Sequence, residues 1–310
     1  MGLDRFERIL VTGGSGFIGR ALLDALVAMG KRPMVADLMV DESRTNGAYS
    51  IARIDLTDET AFRALVADFQ PELAIHLAGA TIRQDDSGER SDLVNFQPVK
   101  VLLESLFEAG GQKAVLMGSA AEYGGNPTPF LEHMQPRPIS PYARSKARAT
   151  RFALEYGRQT SSDVTVLRTF TAYGPGQPAN MFLSQLVRHA VMNERFNMSE
   201  GTQRRDLVYI DDVVRALMAA SVSDRAQNKV INIANGRSMA LRSIAEYAWK
   251  QCGADPEKLA FGTMPSTGDD AVDTWADISL AAELLGWKPT VSFETGIASM
   301  IAAVKEELGK

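Results

Sequence analysis

Tyr142 and Lys146 stand four residues apart in Ser140-Pro-Tyr-Ala-Arg-Ser-Lys146, a stretch that reads as the start of a helix. Ser140 can cap it, Pro141 suits its first turn, and the i, i+4 spacing puts the phenol and the ammonium on one face. Two such residues alone are usually a surface pair. Chemistry enters with the right company, because a phenol with a pKa of about 10 is a poor base at neutral pH. A nearby ammonium and a cationic nicotinamide ring would both favour the phenolate and make it a usable acid and base. Ser119 follows the apolar run Ala114–Gly118, at the edge where a doubly wound sheet meets its ligands, and its hydroxyl could steady an oxygen or relay a proton. It lacks the Gly-x-Ser-x-Gly setting of a hydrolase nucleophile.

The company is supplied near the N-terminus. In Leu10-Val-Thr-Gly-Gly-Ser-Gly-Phe-Ile-Gly19, three glycines, Gly13, Gly16 and Gly19, fall at i, i+3 and i+6 between an expected strand and an expected helix. That loop must turn tightly, lay backbone amides against a pyrophosphate and let the helix approach the sheet, and a Cβ obstructs each task. Phe17 and Ile18 complete this cofactor-binding set. Asp37 closes the second apolar run, where a carboxylate can accept hydrogen bonds from adenosine ribose hydroxyls and repel a 2′-phosphate. NAD is therefore expected rather than NADP, although Arg44 shares the loop and could reach a phosphate.

These groups need a scaffold, and the first half of the chain alternates short apolar runs with helical periodicity. Strands are expected at Arg8–Thr12, Pro33–Asp37, Leu73–Leu77, Ala114–Gly118 and Val164–Arg168. Helices are expected at Phe17–Met29, Glu59–Phe69, Asp92–Ala109 and Tyr142–Arg158. The alternation loosens after Arg168, with a helix near Phe182–Met192, a returning strand at Val230–Ile233, and helices at Arg242–Gln251 and from Phe293 onward. The expected fold is α/β, a Rossmann-type doubly wound parallel sheet with a smaller C-terminal substrate-binding lobe. Residues 1–172 form the NAD-binding part, its sheet completed by segments near 205–235, and 173–310 are mainly the lobe.

Composition narrows the partners. The 310 residues carry a net charge of −5, which offers no general attraction to nucleic acid or to an anionic membrane. Cys252 is the single cysteine, so no intrachain disulfide or thiolate zinc site can form, and His76, His133 and His189 lie in unrelated segments. No metal is expected. The polar start Met1–Glu7 and the short apolar run Ile9–Val11 match neither a signal sequence nor a membrane span, and a cytoplasmic location is expected.

Over nearly its whole length the chain resembles the extended short-chain dehydrogenase/reductases, in particular their nucleotide-sugar epimerases, dehydratases and ketoreductases. The likeness rests on Thr12 to Gly19, Asp55-Leu56, His76-Leu-Ala-Gly79, Asn95, Tyr142-x-x-x-Lys146, Tyr173-Gly-Pro-Gly176, Arg205-Asp206, Tyr209-x-Asp-Asp212 and Leu285-Gly-Trp287. It implies that Asp55 and Leu56 meet the adenine, that Leu77, Ala78, Gly79 and Asn95 line the cofactor, and that Ser119, Tyr142 and Lys146 are the catalytic triad, with Tyr142 and Lys146 also at the cofactor. It further implies that Arg205 binds the phosphates of a nucleotide-linked sugar, the alternative being an ion pair with Asp206 or Asp211. Thr81, Ala120, Thr171 and Asn180 are the other implied substrate contacts, and a homodimer through Asp92–Ala109 and Tyr142–Arg158 is the implied assembly.

Departures from the pattern narrow the chemistry. Dehydratases of this kind carry an acid directly after the catalytic hydroxyl; here Ala120 and Ala121 stand there, and Glu122 follows one place later. Thr171 replaces an asparagine common in 4-epimerases, and Thr267 replaces a second phosphate-binding arginine. Phe196–Asp206, Phe261–Pro265 and Trp275–Asp277 look more like 4-keto-6-deoxyhexose reductases. The leading expectation is thus an NAD-dependent oxidoreductase acting at C4 of a nucleotide-linked hexose, a 4-keto-(6-deoxy)hexose reductase or 4-dehydrogenase. A 4-epimerase is the alternative, and a non-catalytic NAD-binding protein a distant third. The nucleotide and sugar depend on the loops Ile82–Ser91, Gln177–Phe182 and Asn193–Thr202.

Overall fold

Six strands, most of them separated by helices, occupy the chain up to Thr169: β1 (Ile9–Thr12), α1 (Phe17–Ala28), β2 (Met34–Asp37), β3 (Ser50–Arg53), α2 (Glu59–Phe69) and β4 (Leu73–His76) come first. They are followed by α3 (Glu89–Asn95), α4 (Gln97–Glu108), β5 (Lys113–Ser119), α5 (Pro141–Thr160) and β6 (Asp163–Thr169). The computed structural model describes residues 2–39, 47–80, 87–265 and 273–309. The strands form one parallel sheet in the order β3-β2-β1-β4-β5-β6, with Lys229–Ile233 as a seventh strand beside β6. β1 and β4 are buried along their whole length because helices cover both faces, which is why they read as unbroken apolar runs.

Three features depart from the sequence expectation. β3 carries no apolar run, since Ser50 and Arg53 at its ends are exposed on the sheet edge. The helix expected over Asp92–Ala109 is two helices that meet at Phe96. Pro98 lies in the first turn of α4, where its missing N–H is harmless, whereas inside one long helix it would break the ladder. Of the stretch 205–235, only Lys229–Ile233 joins the large sheet; Leu207–Tyr209 pairs instead with β7 (Thr171–Tyr173).

Two apolar layers sandwich the sheet. On one face Leu22, Leu23 and Leu26 of α1 pack with Val213, Val214 and Leu217 of the helix Ile210–Val222. On the other, Phe62 and Val66 of α2 meet Leu102 and Leu106 of α4 and Ala149 and Ala153 of α5. Strand order reverses between β1 and β4, the crevice where open α/β sheets take their ligands. A separate apolar cluster, including Leu186, Ile244, Trp249, Phe293 and Ile297, joins the helices Phe182–Met192, Leu241–Gln251 and Phe293–Glu307.

Asp212 ties this region to the sheet. Its fully buried carboxylate accepts hydrogen bonds from the backbone of Thr290 and Val291 and pairs with Arg215, while its carbonyl accepts from the Trp287 indole at 2.9 Å. The aspartate of Tyr209-x-Asp-Asp212 and the tryptophan of Leu285-Gly-Trp287 thus meet as an anchor remote from the active-site cleft.

Candidate active site

The glycine loop fills the crevice between β1 and β4, and its three glycines meet different surroundings. Gly13 holds φ +71°, and a Cβ there would lie 2.5 Å from the Ala78 backbone nitrogen. A Cβ on Gly19 would lie 2.3 Å from the Gly13 carbonyl oxygen. Both glycines therefore let backbones touch. Gly16 differs: it is exposed, caps α1 and lines the cleft, and the nearest obstacle to its Cβ is the Gly13 oxygen at 3.2 Å. The space a side chain would fill is the place a pyrophosphate needs, in front of the N-terminus of α1. The residues present thus fit a dinucleotide.

Asp37 ends β2 beside this loop, with its carboxylate accepting from the backbone nitrogens of Ser15 at 3.0 Å and Met39 at 3.2 Å. Arg44 lies outside the described residues. Asp55 accepts from the backbone and hydroxyl of Thr57, and Leu56 packs on the α2–α4 layer. At the end of β4, His76 is buried against Thr12, with Nδ1 2.7 Å from the threonine hydroxyl, and burial followed by the Lys146 charge pushes its pKa down to about 3. It is neutral and structural.

From Leu77 onward a polar chain links the cofactor side to α5. Asn95 is fully buried; its side chain accepts from the Ala80 backbone nitrogen and donates to the Ala80 carbonyl and to the Ser145 hydroxyl. Ser145 in turn donates to the carbonyl of Tyr142 at 2.8 Å. Asn95 therefore grips the loop after Gly79 and the first turn of α5 rather than lining the cleft, and acts on any cofactor through them. Thr81 lies outside the described residues.

Ser140 caps α5 as the sequence anticipates, accepting from the Ala143 nitrogen, with Pro141 in the first turn. Tyr142 is half-buried and lines the cleft opposite Ser119. Lys146, one turn on, is 6% exposed; its ammonium donates to the Met117 carbonyl at 2.5 Å, and burial lowers its pKa although Glu122 partly offsets this. The ammonium lies beneath Gly79, 3.9 Å from where that residue's Cβ would be.

Ser119 caps a short 3-10 turn, Ala120–Tyr123, its hydroxyl accepting from the Ala121 nitrogen. The turn decides where the next acid goes. Glu122 swings back to accept from the Ser119 nitrogen and pairs with Arg168 at 2.8 Å, fully buried, while Ala120 and Ala121 line the cleft. Glu122 thus avoids the cleft because the chain coils here.

The cleft encloses about 680 Å³ and reaches from Gly13, Gly16, Phe17, Ile18, Gly19, Leu77 and Gly79 past Ser119 and Tyr142 to Thr171 and Arg205. A second cavity of about 400 Å³ shares Thr171, Gln177, Met181 and Arg205 with it and adds Asn180, Asn197 and Gln203. Arg205 is the sole charged side chain among the described residues lining either space. It donates to the Arg204 carbonyl at 2.8 Å, while the Asp206 carboxylate accepts from the backbone of Asn235 and Gly236. Phe130, Thr169, Phe170 and Thr274 also line the cleft and escaped the sequence reading: Thr169 ends β6 one residue beyond the expected strand, and the others come from connections or a two-residue strand without periodicity, while Gln177 belongs to the loop Gln177–Phe182 already expected at the substrate. Thr267 lies outside the described residues. Among the described residues no cluster of three potential metal ligands occurs, and no helix is long and apolar enough to cross a membrane.

Comparison with known proteins agrees with this geometry. The profile of the NAD dependent epimerase/dehydratase family matches residues 9–234. A UDP-glucuronate 4-epimerase from Thermodesulfobacterium geofontis is 29% identical, with 96% of each chain covered. A dTDP-L-rhamnose 4-epimerase from Burkholderia thailandensis is 27% identical over 98% of this chain and 96% of its own. A dTDP-4-dehydro-6-deoxyglucose reductase from Escherichia coli is similar at 25% identity over 97% of this chain and 98% of its own. Among solved structures, a UDP-glucose 4-epimerase from Thermotoga maritima superposes with a TM-score of 0.90 at 29% identity, covering 97% of this chain and 99% of that one. The chain belongs to the NAD dependent epimerase/dehydratase family and its cofactor is NAD.

Proposed function

We propose that this member of the NAD dependent epimerase/dehydratase family is a nucleotide-sugar 4-epimerase. It oxidises the C4 hydroxyl of a nucleotide-linked hexose, lets the ketone turn over in place and reduces it from the opposite face. The observation that carries the reading is the distribution of polarity along the cleft. Arg205 gives the sugar-nucleotide phosphates one forked cation where the two cavities join. Around Ser119 and Tyr142 the walls are small or apolar: Ala120, Ala121, Phe130, Ile139 and Phe170. A ligand held at its phosphates and loosely at its ring can rotate between two hydride transfers.

In this reading Tyr142 takes the C4 hydroxyl proton and later returns it, and Ser119 donates to the same oxygen as charge develops there. Lys146 favours the phenolate from beneath. Bound NAD supplies the hydride acceptor and, in the second half, the donor. Two hydroxyl donors and an ammonium around one oxygen typically provide a few kcal/mol of transition-state stabilisation.

Elimination of water needs an acid in the cleft, and Glu122 is committed to Arg168, so dehydration is disfavoured. The reductase expectation gives way to the epimerase: full-length similarity is greater to the two 4-epimerases than to the reductase, and the ring chamber suits turnover. The test is incubation of the purified protein with UDP-glucose, UDP-glucuronate and dTDP-L-rhamnose, with sugar configuration read by NMR. Formation of the C4 epimer without net build-up of reduced nicotinamide is expected. Stoichiometric consumption of NADH with a 4-keto sugar, and no epimer, would overturn it. The same reading carries a cytoplasmic homodimer, checked by fractionation and by light scattering.

A further inference from the structure

On the side of α5 away from α4 lies a cavity of about 550 Å³ closed by the loop 132–138 and floored by β6 and the edge strand. Its walls are strongly basic. Arg144, Arg151 and Arg158 contribute from α5 and Arg168 from β6, while Arg148, which also borders the cavity, turns its guanidinium to Asp92 and to the Phe96 ring, 4.0 Å from its centroid. Opposing them are Glu132, which lines the cavity and accepts from the Asn232 nitrogen, and Glu122, which pairs with Arg168. Four guanidiniums thus face two carboxylates, a local positive excess in a chain whose net charge is −5. His133 also lines the cavity, whereas Glu155, between Arg151 and Arg158, does not.

Repulsion makes this clustering costly without a counter-ion. Arg144, Arg151 and Arg158 recur every seven residues, which gathers their like charges on one face of α5. Arg151 and Arg158 are exposed and have no hydrogen bond or ion pair among the described residues. Arg168, 3% exposed, has a buried Nη1 with no hydrogen bond among the described residues, although its Nε pairs with Glu122 and its guanidinium lies 4.5 Å from the Tyr123 ring centroid. The aromatic side of α5, where Phe152 and Tyr156 meet Phe96 and Phe107, points elsewhere.

We propose that this cavity is a second anion site, distinct from the cleft, which takes a small phosphate-bearing molecule. Guanidinium forks match phosphate oxygens in pairs, and a recessed space of this size suits a small molecule rather than a polymer. The site shares α5 with Tyr142 and Lys146 but opens on its opposite side.

The test uses NAD-saturated enzyme titrated with inorganic pyrophosphate by calorimetry, with inorganic phosphate as the single-group comparison and hydrogen exchange to locate the contact. The R151Q/R158Q double variant removes two exposed, unpaired arginines, so its melting temperature and NAD affinity should match those of the wild type. Pyrophosphate should bind more tightly than phosphate, protect residues 132–138 and 144–158, and lose at least about tenfold in affinity in the double variant. Protection confined to 177–205, undiminished binding by the double variant, or no binding by the wild type at millimolar pyrophosphate would each overturn the proposal.

Discussion

Replacing each loop glycine by alanine should separate folding from cofactor binding. At Gly13 the left-handed backbone alone costs about 1–2 kcal/mol in a residue with a Cβ. The new methyl would also sit 2.5 Å from a backbone nitrogen that cannot swing aside. At Gly19 the methyl would lie 2.3 Å from one carbonyl oxygen and 2.7 Å from the Gly14 Cα, both backbone, so α1 must move off the sheet. Overpacking of this kind costs about 1–3 kcal/mol or more. Gly16 has φ −70°, which alanine adopts freely, and its methyl meets one atom at 3.2 Å. The folding cost there should stay below about 1 kcal/mol, the penalty of a poorer N-cap. NAD affinity should nevertheless fall at least about tenfold, because the methyl occupies the pyrophosphate's place. Thermal melts and NAD titration by calorimetry read both quantities. Gly13→Ala and Gly19→Ala should melt several degrees lower, and Gly16→Ala should melt near the wild type yet bind NAD poorly. Normal NAD affinity in Gly16→Ala would refute the assignment of that space, and wild-type melting of the other two would refute the packing account.

Other outcomes follow from the same structure. Tyr142→Phe should lower kcat by about 100-fold to 10,000-fold while NAD titrations stay unchanged, since the lost group exchanges a proton rather than binding the cofactor. Glu122→Gln should destabilise the fold by about 3–5 kcal/mol in urea unfolding, because it strands the buried Arg168 charge, and the double variant Glu122→Gln with Arg168→Met should recover part of that loss. His76, with its pKa depressed from 6.5 to about 3, binds fewer protons folded than unfolded between those values. Its contribution to stability is therefore present above pH 6.5 and lost as the pH falls towards 3. Urea midpoints measured across that range should fall less steeply in His76→Asn than in the wild type.

The parts of the site that the sequence disclosed are local ones. Gly13 to Gly19, and Ser140 to Lys146, each lie within two helical turns, so spacing alone reports their geometry. Even Asp37 needs only the adjacent strand β2. What stayed hidden depends on distant partners. The sequence set Glu122 one place too late to serve as a catalytic acid, but its actual partner, Arg168, 46 residues away, could not be read from it. β3 could not be read because an edge strand needs no apolar run, and the break at Phe96 turns on Pro98 lying at a helix start rather than within a helix. Phe130 joins the cleft through a loop whose course no periodicity encodes, and Thr274 through a two-residue strand too short to show any. The reductase expectation leaned on loop segments of that kind and on single replacements such as Thr171, while similarity along the whole chain favours the epimerases.

The turn after Ser119 separates two jobs that could have fallen to the same residues. Glu122 and Arg168 hold it from below, and the Ala120 and Ala121 methyls line the cleft with no part in that ion pair. Natural selection can therefore exchange the upper pair while the foundation stays fixed. An acid introduced at Ala120 or Ala121 would enter the chamber beside the sugar with the buried ion pair undisturbed, so one scaffold can diversify its reactions by altering two surface positions of a single turn.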